Sequence, residues 1–164
     1  MASKSAFAQK DIYKQVERTA IKGRHLTFID DLSSDELENL FVTAEMLEPF
    51  WRSGVNLLRS RILCTLFFQP STRTRFSHET AMIRLGGSIL TESNPLISSS
   101  AAKNESLYDS IRVISQYADA LVLRHPDDRR VLADLEKLGV DTIPIISGGY
   151  GNVTHPTQGL LDMY

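Results

Sequence analysis

Apolar residues follow two rhythms along this chain, one of helical period and one of short continuous runs, and the two alternate. Leu37, Leu40, Phe41, Ala44 and Leu47 recur at helical spacing behind Ser33 and Glu36, a capping-box pair that marks a helix start. Pro49 and Gly54 then break the pattern. Ile62 to Phe68 is an unbroken apolar run of strand length, which predicts a strand covered on both faces. Pro70, Ser71 and Thr72 punctuate it, and a helix is predicted from about Thr72 to Leu85, ended by Gly86-Gly87. Ser88 to Thr91 predicts a second strand, and the polar, Ser-rich residues 92–105 a surface loop. Leu107, Ile111, Ile114 and Ala118 mark the next amphipathic helix, and Ala120 to Leu123 a third strand. Val131, Leu132, Leu135 and Leu138 give another core-facing helix, and Thr142 to Ile146 a fourth strand. Glycines 148, 149 and 151 follow it, and a last helix begins near Pro156 and reads as unfinished at Tyr164. Residues 1–24 are polar and predicted helical.

Strands that alternate with helices predict an α/β fold: a three-layer α/β/α domain whose parallel sheet has four strands or slightly more. Ligands of such sheets bind outside the carboxyl ends of the strands. That rule selects residues 69–75, 124–126 and 147–158, all rich in polar side chains.

Composition narrows the function classes. The chain has 164 residues, 42% of them hydrophobic and 23% charged, an ordinary globular balance. Its net charge of -2 gives no general case for nucleic acid. No apolar run reaches the roughly 18 residues of a membrane span, and the first residues lack an apolar signal core, so a cytoplasmic protein is expected. A single cysteine, Cys64, leaves no internal disulfide and no multi-cysteine metal site.

Four segments carry candidate chemistry. In Gln69-Pro70-Ser71-Thr72-Arg73-Thr74-Arg75 a buried strand ends, and hydroxyls and guanidinium groups crowd the first turn of a helix. Free N–H groups there suit an anion, and an Arg can clamp phosphate oxygens bidentately. The competing reading is a Ser/Thr N-cap with two solvated arginines, since cations at a helix N-terminus oppose its dipole. No Gly-rich P-loop pattern is present. Arg124, in Arg124-His125-Pro126, either faces a ligand or snorkels from a strand end. His155, before Pro156-Thr157-Gln158, sits outside a helix N-terminus that disfavours its protonation. A neutral imidazole there can donate to a carbonyl oxygen; alternatively it bonds a backbone group at the helix entry. His25, His78 and His125 lack metal-ligand spacing to it. Ser98 to Ser106 reads as a flexible surface loop carrying Lys103.

Taken together, Ser71-Thr72-Arg73-Thr74-Arg75, Lys103-x-Glu105-Ser106, Leu123-Arg124-His125-Pro126 and His155-Pro156-Thr157-Gln158 resemble the aspartate/ornithine carbamoyltransferase family, from about His25 onward. The His-Pro-Thr-Gln form is that of aspartate carbamoyltransferase catalytic chains; ornithine enzymes usually show His-Pro-Cys-Gln. The resemblance implies that Ser71, Thr72, Arg73 and Thr74 bind the phosphate of carbamoyl phosphate, with Arg124 on the phosphate and carbonyl oxygens. Thr74, Arg124 and His155 act on the carbonyl as the catalytic groups, and Gln158 holds the carbamoyl amino group. The amine of L-aspartate attacks and phosphate leaves, a step of pyrimidine biosynthesis that needs no metal or organic cofactor. Ser99 and Lys103 reach the site of a neighbouring subunit, so a homotrimer is implied. Nucleic acid and membrane are not expected partners.

The implied division is a polar segment 1–24, a carbamoyl-phosphate-binding domain 25–155 and the start of an interdomain helix 156–164, the aspartate-binding domain being absent. Such a chain is expected to bind carbamoyl phosphate weakly and not to turn over aspartate alone. Two positions depart from the family pattern: Asn104 stands where the family has Gly, and Ser147-Gly148-Gly149-Tyr150-Gly151 replaces Asn-Ala-Gly-Asp-Gly. Alternative readings are a carbamoyltransferase with another amine acceptor and a non-catalytic phosphate-binding homologue.

Overall fold

Ser33 and Glu36 close their capping box: the Glu36 N–H donates to the Ser33 hydroxyl, and the Ser33 N–H to the Glu36 carboxylate. Helix α2 (Ser34–Leu47) therefore starts where its sequence signal lies. The computed structural model describes residues 2–92, 105–139 and 142–164. Helix α1 (Ala2–Arg18) precedes α2 and packs on it, with Gln15 Nε2 donating to Asn39 Oδ1 at 2.9 Å. After a short 3-10 turn (Glu48–Phe50) the chain runs through strand β1 (Ile62–Phe67), helix α3 (Thr72–Arg84) and strand β2 (Ser88–Glu92). Helix α4 (Leu107–Ile114), strand β3 (Ala120–His125), helix α5 (Asp128–Leu138), strand β4 (Ile145–Tyr150) and helix α6 (Pro156–Met163) follow.

The four strands form one parallel sheet in the order β2-β1-β3-β4. Residues alternate between its faces. Leu63 and Phe67 of β1 pack with Met82 of α3 and Val122 of β3 on one face. Cys64, Leu66, Leu121 and Leu123 pack with Leu107 and Ile111 of α4 and Val131 and Leu135 of α5 on the other. The three-layer α/β architecture expected from the sequence is what folds. A single parallel bridge from Leu26 to Ile146, bonded through Leu26 N–H to Ile145 O and Ser147 N–H to Leu26 O (both 2.9 Å), extends the sheet past β4.

β4 departs from the expectation. It begins at Ile145 rather than Thr142 and carries Gly148, Gly149 and Tyr150 inside the strand. Pro144 has no N–H to offer the ladder, and only its carbonyl is used, accepting from Leu121 N–H at 2.9 Å. The pairing then runs on because β3 also runs on, to His125, with one extra β4 residue between the Leu123–Ser147 and His125–Tyr150 pairs. Such a bulge bends a strand and re-aims its side chains. The loop expected at 92–105 falls almost wholly outside the described residues, as do Ser99, Lys103 and Asn104.

Tyr150 points into the larger core cluster and is fully buried. Its hydroxyl has no hydrogen-bond partner of good geometry among the described residues, and burial pushes the phenol upward, softened only slightly by the nearby Ser147 hydroxyl. A buried hydroxyl left unpaired costs about 1–3 kcal/mol. Tyr150→Phe is therefore expected to raise the melting temperature by about 2–4 °C per kcal/mol recovered. A clear fall in thermal unfolding monitored by circular dichroism would contradict this placement.

Candidate functional site

β2 lies on one side of β1 and β3 on the other, so the chain leaves β1 in one direction and returns in the other. The carboxyl ends of β1 and β3 are thus the topological switch point, where a crevice opens in such sheets. Phe68 N–H donating to Arg124 O at 2.9 Å ties the two ends together.

A cavity of about 720 Å³ opens there. Of the residues singled out from the sequence, Ser71, Arg73, Thr74, Arg124, His155 and Gln158 line it. Thr72 does not: its exposed side chain borders a separate hollow of about 220 Å³ with Phe67 and Pro70, and Ser71 reaches both. Ser77, His78 and Thr157 complete the polar lining, and Ala81 and Leu161 the apolar part. Among the described residues no carboxylate lines the cavity, while two guanidinium groups and two imidazoles do. That imbalance favours an anion.

Ser71 is the N-cap of α3 by backbone geometry (φ -160°, ψ 93°), yet its hydroxyl makes no capping bond. The plain N-cap reading accounts for the residue's place and leaves its hydroxyl uncommitted. Below it, Thr65 of β1 and Thr91 of β2 donate hydroxyl hydrogen bonds to Glu79 Oε1 at 2.9 and 2.8 Å, fixing α3 on the sheet. One turn into the helix, the Thr74 hydroxyl lies 3.3 Å from His155 Nε2, joining α3 to α6. The other ring nitrogen of His155 is 3.4 Å from the Thr157 hydroxyl.

Arg124 donates from Nη1 to Gly148 O at 2.7 Å, and its Nε is buried without a partner among the described residues. A buried charged donor in that state is costly unless something else meets it. The close approach depends on Gly149, whose φ is +112°; a Cβ there would stand 2.6 Å from Arg124 Nη1 and 3.4 Å from His155 Cδ2. Gly148 and Gly149, expected after the fourth strand, lie inside it and offer backbone without side chains where Arg124 and His155 press against Gly149. His125 takes the opposite orientation, buried beside Phe68 with ring centroids 4.8 Å apart and with Nδ1 accepting from Asp127 N–H at 3.0 Å. Gln158 is exposed and bonded to Asp162 at 2.9 Å.

His78 was not among the residues singled out. It faces the cavity from one turn below Thr74, with Nδ1 2.8 Å from Thr74 O. The i, i+4 spacing from Thr74 on the same helix was the available signal.

A family model described as aspartate/ornithine carbamoyltransferase, carbamoyl-P binding domain, matches residues 24–164. The chain belongs to this family. Over 149 residues it is 56% identical to the ureidoglycine carbamoyltransferase of Rubrobacter xylanophilus, covering 91% of this chain and 43% of that protein. It is 45% identical over 147 residues to the aspartate carbamoyltransferase catalytic subunit of Methanothrix thermoacetophila, covering 88% and 46%. The aspartate transcarbamoylase of Trypanosoma cruzi, solved with carbamoyl phosphate and aspartate, superposes with a TM-score of 0.80 at 36% identity, covering 89% and 47%. The chain thus spans about half the length of the relatives it matches, and it is the carbamoyl-phosphate-binding domain of the family. Among the described residues no helix is long and apolar enough to cross a membrane.

Burial, then the Arg124 charge, then His78 hold the His155 imidazole below its ordinary pKa, and burial chiefly does the same for His125. Each group binds a proton less readily when folded. They therefore contribute stability that is present above the ordinary imidazole value of about 6.5 and lost as pH falls from there through the lower folded values. In ring-nitrogen NMR titrations both imidazoles are expected to stay neutral below about pH 6.5, and stability to fall with acidification across that window. Ordinary titration of both rings would overturn this account.

Proposed function

We propose that this domain binds carbamoyl phosphate in the cavity at the β1/β3 switch point and presents it to an amine. The observation that carries the reading is the buried, unpartnered Nε of Arg124 in a cavity whose described lining holds cations and no carboxylate. The Ser71 hydroxyl, the N–H groups at the start of α3, that of Thr72 among them, and Arg73 suit the phosphoryl oxygens. Arg124 bridges phosphate and carbonyl oxygen, Thr74 and neutral His155 donate to that carbonyl, and Gln158 turns from Asp162 to hold the carbamoyl amino group.

The amine nitrogen attacks the carbonyl carbon, a C–N bond forms and the carbon–oxygen bond to phosphate breaks. Phosphate leaves with the bonding pair, and the amine gives up a proton. Negative charge grows on the carbonyl oxygen as the amine adds. Donors already fixed there act without reorganising, each worth about 2.7–4 kcal/mol in comparable acyl-transfer sites. Ser99 and Lys103 complete a neighbouring subunit's site in a homotrimer of a cytoplasmic enzyme.

The acceptor we propose is L-aspartate, on the strength of the His155-Pro156-Thr157-Gln158 form and of relatives such as the Methanothrix and Trypanosoma enzymes. A second reading, ureidoglycine as the carbamoyl-bearing partner, is favoured by the 56% identity to the Rubrobacter protein. The acceptor site belongs to the half of the relatives that this chain does not match. Residues 1–164 are therefore expected to bind carbamoyl phosphate without turning over aspartate.

Calorimetric titration of carbamoyl phosphate should give saturable binding that Arg73→Ala weakens about ten- to a hundredfold, the worth of a hydrogen bond to a charged group. Equal heats from both proteins would sink the reading. Phosphate release by the intact protein, assayed with aspartate and carbamoyl phosphate, decides the acceptor. Turnover with aspartate supports the first reading, and carbamoyl transfer to or from ureidoglycine alone supports the second. Affinity without turnover in either case would make this a binding homologue.

A further inference from the structure

The cavity holds a second imidazole that the proposed chemistry does not use. The neutral ring of His78 must carry its proton on Nδ1, because the atom 2.8 Å away is the Thr74 carbonyl oxygen, which only accepts. The Ser77 hydroxyl donates to the same carbonyl at 2.8 Å, so that oxygen is saturated and the ring is anchored to its own helix. Nε2 is left as the nitrogen with no partner among the described residues, on a ring that lines the cavity. His155 differs, since both its ring nitrogens lie beside threonine hydroxyls.

The charged groups that line the cavity with His78 are both cations: Arg73 shares α3 with it and Arg124 comes from the end of β3, while the neutral His155 ring stands at the entry to α6. The nearest carboxylates are turned elsewhere. Glu79 accepts from Thr65 and Thr91 and lies 3.9 Å from Arg75, and Asp162 is held by Gln158. The His78 charge is felt across the cavity, where it helps keep His155 neutral. A dianion in the cavity reverses the sign of the surrounding field and favours the charged imidazole.

We propose that His78 is a proton-dependent cation of this anion site: when a phosphate-like oxyanion enters, the ring takes up a proton on Nε2 and the resulting N–H contributes to holding it. Binding of the oxyanion and of one proton are then linked, and each strengthens the other by the same factor. The neutral ring releases the anion more readily, which suits a site that must also let phosphate go. This rests on the oxyanion reading of the cavity, but it fails separately from it.

Sulfate is the probe, because it is a dianion throughout the imidazole range and any pH dependence then belongs to the protein. Wild-type chain is expected to bind sulfate about tenfold more tightly as pH falls from about 8 to about 5.5, spanning the ordinary imidazole value of about 6.5 and corresponding to about one pKa unit of linkage. His78→Asn keeps an N–H donor for the Thr74 carbonyl but loses the second nitrogen, and its affinity should change less than about threefold over that range, the residue of His155. Arg73→Ala should weaken binding at every pH and keep the slope. In ring-nitrogen NMR of the wild type near neutral pH, adding sulfate should move the His78 Nε2 signal toward that of a protonated imidazole, a readout independent of whether the variant folds. An unchanged His78 Nε2 signal with sulfate bound, or a His78→Asn profile equal to wild type, overturns the proposal and leaves the oxyanion site standing. No sulfate binding at any pH overturns both.

Discussion

Arg124 is the residue around which the site is assembled. It ends a buried strand, where a fixed positive charge is expensive, and the fold spends one guanidinium nitrogen on the Gly148 carbonyl while leaving Nε dry and unmet. The arrangement exists only because Gly149 has no side chain, takes a φ of +112° and lets both Arg124 and His155 close on the strand. Burial first, and then the same guanidinium, hold the His155 imidazole below its ordinary pKa, which favours a neutral ring able to donate to a carbonyl without adding repulsion. Backbone close approach, buried charge and a tuned imidazole are one constraint seen from three sides.

The sheet order makes that constraint possible. With β2 and β3 on opposite sides of β1, the start of α3 and the end of β3 open onto the same crevice. The α3 helix brings hydroxyls and Arg73 from one wall; α6 returns His155 and Gln158 from the other, locked by the contact between Thr74 and His155. Glu79, half-buried against Thr65 and Thr91, keeps α3 seated on the sheet while its first turn stays open to a ligand. A rigid core on both faces thus carries a polar rim whose side chains have few bonds to one another.

Much of this was legible in the residues. The continuous apolar runs and the Ser33–Glu36 box read directly as strands and a capped helix, because burial and capping are local demands. The run of hydroxyls and arginines after Phe68 marked the segment from which Ser71, Arg73 and Thr74 line the crevice. What could not be read was long-range. Pro144 and the bulge moved β4 onto the glycines, since strand limits depend on how far the neighbouring strand extends. Gly149 looked like loop because nothing in its sequence neighbours reveals an arginine arriving from another strand. Thr72 looked like part of the main cavity, yet the first turn of a helix points successive side chains about 100° apart, and its side chain falls on the outer wall. His78 was passed over because only a folded α3 shows that its face continues that of Thr74.

In the proposed site, a ligand meets Arg124 in the β1/β3 crevice. The most direct measurement is the NMR signal of the Arg124 Nε–H as carbamoyl phosphate is added. The signal is expected to shift with saturation and to exchange with water more slowly as the buried donor acquires an acceptor. A resonance that stays unmoved while the ligand binds elsewhere would contradict the assignment of this crevice as the carbamoyl phosphate site.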